Sequence, residues 1–134
     1  MFSFEEVGEI LDEIAEELPQ AFFNDLNGGI LLLPDTRRCD DDSLPDVYTM
    51  GQYVRDGMGR YIIIYYGSFA VLYGHSTQHK FREALRETLL HEFTHHVESL
   101  AGAHDLEIKD DLEMARLRAP RKYRVRSDTG GIKG

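Results

Sequence analysis

The chain has 134 residues, 42% of them apolar, which is enough for one modest core without disulfides and too few for several large domains. A net charge of −9 disfavours nucleic acid as a partner, and no run approaches the ~18 apolar residues that a membrane helix needs. Cys39 is the only cysteine, so no internal disulfide forms, and the acidic start Met1-Phe2-Ser3-Phe4-Glu5-Glu6 lacks the regions of a signal peptide; the expected compartment is the cytoplasm.

Ser3 with Glu6 makes a capping box, and Phe4, Val7, Leu11, Ile14 and Leu18 follow it as one helical apolar stripe that Pro19 ends. The acidic outer face of that helix (Glu5, Glu9, Asp12, Glu13, Glu16) reads as a solvated surface. Asn27-Gly28-Gly29 predicts a turn, residues 30–33 a short buried strand stopped by Pro34, and residues 35–46 an acidic loop that holds Cys39 as a surface thiol. Residues 47–54 and 60–66 flank Arg55-Asp56-Gly57-Met58-Gly59, a turn-rich stretch suited to a hairpin. Tyr61-Ile62-Ile63-Ile64-Tyr65-Tyr66 is strongly β-prone, and Phe69-Ala70-Val71-Leu72-Tyr73 suits either a strand or a short helix.

A long helix comes next. Ser76 or Thr77 caps its start, and Phe81, Leu85, Leu89, Phe93, Val97 and Leu100 recur at steps of three and four. Within it lies His91-Glu92-Phe93-Thr94-His95, an H-E-x-x-H motif. Residues four apart share a helical face, so both imidazoles reach one metal ion while Glu92 stands beside them as a general base. His91 and His95 fall beside the apolar stripe, on a neighbouring face with Ala84 and Thr88.

Catalytic zinc takes three protein ligands and keeps one position open. The third is open between Glu98, His104 and Asp105. Glu98 shares the face of His91, yet ligands at i, i+4 and i+7 span ~10 Å of helix axis, which suits Glu98 equally to accepting a histidine N–H. Gly102 suits a helix end and lets the chain turn back, bringing His104 and Asp105 toward the metal. Asp105 is also placed to cap a following helix that starts at Leu106.

With its Gly102-Ala103-His104-Asp105 continuation, the motif resembles the minimal zincin-like metallopeptidase family, small bacterial domains with an HExxHxxGxxD signature. The resemblance covers roughly residues 3–111. It implies an α+β fold, a small mixed or antiparallel sheet packed on the N-terminal helix and the motif helix, with a short C-terminal helix after them. It also implies a helix at residues 69–73, one Zn2+ held by His91, His95 and Asp105, Glu92 as catalytic base, and a peptide or protein substrate paired to an edge strand; residues 61–66 are the suggested strand, with an interior place for that run equally open. The chain departs from the signature by four added residues between His95 and Gly102. One added turn moves Gly102 ~5.4 Å along the axis, so Glu98 stays a candidate.

The expected organisation is a catalytic domain over residues 1–113 and a basic, flexible tail over 114–134. The tail carries seven Lys/Arg against Asp128, a net of +6, and leaves a body of eight basic and 23 acidic residues, −15. Such a tail suits an acidic protein partner, and the acidic body argues against nucleic acid. Tyr53, Tyr61, Tyr65, His96 and Arg60 are the candidate oxyanion donors, with His96 placed as a surface or supporting residue. The alternative to a zinc peptidase is a non-catalytic, metal-stabilised interaction module. Structural zinc sites favour cysteine-rich shells, which this chain lacks.

Overall fold

The computed structural model describes residues 1–38, 47–100 and Met114. It is an α+β domain in two layers. Helix α1 (Phe4–Glu17) opens with the expected capping box: the Ser3 hydroxyl accepts from Glu6 N at 3.1 Å and Glu6 Oε1 accepts from Ser3 N at 2.8 Å. Its buried face is Val7, Ile10, Leu11 and Ile14. Leu18 closes it before Pro19, and a 3-10 turn at Gln20–Phe23 follows that the sequence pattern does not announce.

Five strands come next: β1 (Gly29–Leu33), β2 (Arg37–Arg38), β3 (Tyr48–Thr49), β4 (Gly51–Asp56) and β5 (Gly59–Tyr65). The main sheet runs β1-β5-β4, with β1 parallel and β4 antiparallel to β5, so it is mixed. β2 and β3 pair antiparallel beside it. The chain then forms α2 (Tyr66–Tyr73) and the motif helix α3 (Gln78–Leu100), which Thr77 starts by accepting from Lys80 N at 3.1 Å.

Period-two alternation decides what each strand buries. Ile62 and Ile64 of β5 pair with Tyr53 and Gly51 on one side and with Ile30 and Leu32 on the other. Ile62, Ile64 and Tyr53 are wholly buried on this face, together with Phe81, Leu85, Leu89 and Phe93 of α3. Phe93 packs against Phe22 and Phe23, at ring-centroid distances of 5.9 and 5.1 Å. No helix among the described residues is long and apolar enough to cross a membrane.

Three expectations change. The strand at residues 29–33 is half-buried, with Leu31 43% exposed, because it is an edge of the sheet. The hairpin loop shrinks to Gly57 and Met58, since Arg55 and Asp56 stay in β4 and Gly59 takes φ 113° to begin β5. Part of the predicted acidic loop is β2, which pairs with residues 48–49. The β-prone run of residues 61–65 takes the interior place left open for it, paired on both sides, and among the described residues β1 and β4 are the outer strands. The segment at residues 69–73 lies in α2, the helical outcome. Cys39, the predicted C-terminal helix and the tail, Met114 apart, lie outside the described residues.

Candidate metal centre

On α3, Glu92 is wholly buried while His91 and His95 beside it are half-buried. Helical spacing turns the two imidazoles toward each other. His91 Nε2 and His95 Nε2 stand 3.2 Å apart, with ring centroids at 4.8 Å and planes at 74°. Two imidazole nitrogens at ~2.0–2.1 Å from one tetrahedral zinc stand about 3.3 Å apart. The pair therefore fits a shared ion with the nitrogens where they are. Without a metal, one Nε2–H donates to the other ring instead.

The other nitrogen of His95 looks elsewhere. Its Nδ1 lies 4.0 Å from Glu98 Oε1, and Glu98 is 57% exposed. Glu98 thus stands on the side of the ring that faces away from His91, beyond hydrogen-bond distance of it. Among the described residues, no further His, Cys, Asp or Glu completes a metal-holding group with the pair. His104 and Asp105 lie outside the described residues.

Strand β4 lies directly over this part of α3. A Cβ added at Gly51 would stand 2.8 Å from Thr88 Cγ2 and 3.3 Å from Glu92 Cγ. Only a glycine lets the strand approach the general-base candidate this closely. Thr88 is itself wholly buried, one turn ahead of Glu92, and its hydroxyl has no hydrogen-bond partner among the described residues. Gly51 escaped the sequence reading. The available signal was a glycine at the head of Gln52-Tyr53-Val54, where a strand gives up a side chain.

His96 is a correction. It is wholly buried on the sheet side of α3. Its Nε2 lies 2.7 Å from the Asn24 carbonyl, which only accepts, so that nitrogen carries the proton. Nδ1 then accepts from the Tyr53 hydroxyl at 2.8 Å. Burial pushes the His96 pKa below its ordinary value; the Asn24 carbonyl opposes that, Arg60 adds to it and Asp25 opposes it. The other expected oxyanion donors are bonded elsewhere too. Tyr61 donates to Asp56 at 2.8 Å, Tyr65 donates to Gln52 Oε1 at 2.7 Å, and Arg60 Nη1 donates to Ser99 Oγ at 3.1 Å. The bond from Tyr61 and the nearby Asp56 charge raise the Tyr61 pKa.

No protein-family model matches the chain, and no curated protein matches it. A solved structure that it resembles is a conserved hypothetical protein from Thermus thermophilus. The two share 32% identity and superpose with a TM-score of 0.66, across 75% of this chain and 98% of the other.

Proposed function

This chain belongs to the same family as that conserved hypothetical protein, and we propose that it is a zinc-dependent metallopeptidase. The observation that supports this reading best is the convergence of His91 Nε2 and His95 Nε2 at 3.2 Å beside a wholly buried Glu92. The resemblance of the motif to the minimal zincin-like family points the same way and supplies Asp105 as the third ligand. A single cysteine suits a reducing cytoplasm.

Bound to two imidazoles and a carboxylate, zinc supplies a Lewis acid that acidifies water and polarises a carbonyl. The rest falls to the chain. Glu92 takes a proton from the attacking water and returns it to the leaving amine. Glu98, 4.0 Å from His95 Nδ1, is the carboxylate that would accept that N–H once His95 turns Nε2 to the metal. β4 is an outer strand of the sheet among the described residues, buried at residues 51–53 and accessible at residues 54–56, and that accessible end would align an extended peptide by main-chain hydrogen bonds, which are indifferent to its sequence. The expected side-chain oxyanion donors are bonded elsewhere, so none of them is given that role.

Glu92→Gln tests the reading. It keeps the size of the side chain and removes the base, so turnover of a casein or peptide-library substrate falls by at least ~100-fold while zinc content and melting temperature stay near wild type. Loss of zinc or of the fold in Glu92→Gln, with no wild-type turnover on any substrate, would favour the non-catalytic module.

A further inference from the structure

The β4–β5 hairpin sets Arg55 directly opposite Arg60. Cross-strand neighbours have Cβ atoms about 4.5–5.5 Å apart, and like charges placed so destabilise a hairpin. Arg60 is anchored: its Nη1 donates to Ser99 Oγ at 3.1 Å and its backbone N–H to Asn27 Oδ1 at 3.0 Å. The Arg55 side chain closes no hydrogen bond or ion pair with a described residue.

Both arginines line an open groove of about 510 Å3 with Asp25, Asn27, Asp56 and Gly59. Asp56 keeps its charge, but strand alternation turns its carboxylate to the face opposite Arg55 and Arg60, where its oxygens accept from Met58 N and from the Tyr61 hydroxyl, each at 2.8 Å. Asp25, at φ 63°, forms no ion pair with either arginine. With Asp25 the groove face sums to +1, and neither guanidinium is in an ion pair with a described residue. That net charge matches a monoanion rather than a phosphate dianion.

Its position adds a second argument. Arg55 lies four residues along β4 from Gly51, the point where the strand comes closest to Glu92. At ~3.4 Å per residue that is about 14 Å, and an even step keeps the same face of the strand. An extended substrate spans the same distance in four residues, so one with its scissile bond near Glu92 carries the side chain four residues away to this groove, at the accessible end of β4.

Building on the peptidase reading, we infer that the Arg55–Arg60 groove is a subsite for a carboxylate on the extended substrate, about four residues from the cleaved bond. Two arginines grip a carboxylate by paired, charge-assisted hydrogen bonds. The carboxylate is an Asp or Glu side chain or the end of the peptide.

The test scans one Glu, against Gln, through labelled peptides otherwise made of Ala and Val. Binding is read by fluorescence anisotropy on zinc-loaded Glu92→Gln protein, and cleavage on the wild type. At one position, about four residues from the cut, Glu binds about tenfold tighter than Gln, and Arg55→Gln or Arg60→Gln reduces that ratio to about twofold or less. C-terminal acid against amide separates a chain end from a side chain. Cleavage without Glu/Gln discrimination, or discrimination that survives both variants, overturns the subsite and leaves the peptidase reading standing. If none of these peptides is cleaved, the peptidase reading is judged by the Glu92→Gln test, and the subsite by the side-chain Nε–H resonances of the two arginines. Saturable shifts with acetyl-glutamate amide and none with acetyl-glutamine amide support it; equal or absent shifts overturn it.

Discussion

His95 and His96 are neighbours with opposite surroundings. One keeps a half-open ring toward His91, and the other is sealed between the Asn24 carbonyl and the Tyr53 hydroxyl. The difference follows from the ~100° step between successive helical residues, which turns one ring to the metal side and the next to the sheet. It has a pH consequence. Burial holds His96 below its ordinary 6.5, so the unfolded chain takes up this proton first as pH falls. The contribution is therefore fully present above 6.5 and is lost as pH drops through the lowered native value. Chemical denaturation of the metal-free protein should show stability falling from pH 6.5 down to that lowered value, with up to about 1.4 kcal/mol per pH unit from this one group. His96→Gln should flatten the slope, and an unchanged slope would contradict the assignment.

At the scale of elements, the contact of β4 with α3 is the least forgiving. Gly51→Val sets a side chain against the fixed methyl of a buried threonine, with Thr88 Cγ2 already 2.8 Å from the position of an added Cβ. Urea denaturation should show a loss of about 1–3 kcal/mol. Gly51→Ala should be partly rescued by Thr88→Ala, and strict additivity of the two would count against the contact. Phe93→Ala, which empties the space between Phe22 and Phe23, should cost about 3–5 kcal/mol by the same measurement. Both long helices were legible in the sequence, because their apolar periods and the Ser3–Glu6 box are local signals. The strand order was not. Whether residues 61–65 are edge or interior depends on pairing with residues 29–33, which come about thirty positions earlier. The HExxH pair was legible for the same local reason as the helices. Gly51, the groove at Arg55 and Arg60, and the burial of His96 depend on which surfaces meet, and no local pattern carries that.

For the molecule as a whole, charge is segregated. The sheet hairpin carries Arg55 and Arg60, whereas α1 is acidic and answers α3 through Arg82–Glu13 and Arg86–Glu17, each at 3.1 Å. These exposed pairs contribute little to stability, about 0–1 kcal/mol each. Zinc is the larger lever. A ligand that binds only the folded state at ~100 times its Kd adds about 2.7 kcal/mol, so chelation should lower the melting temperature of the wild type more than that of His91→Ala. The deciding measurement is the metal content of purified wild type beside His95→Ala, Asp105→Ala and Glu98→Ala. One zinc per chain in wild type and in Glu98→Ala, with its loss in His95→Ala and Asp105→Ala, is the predicted result. A wild type that holds no zinc after reconstitution, or a His95→Ala variant that keeps a full equivalent, would contradict the metal centre.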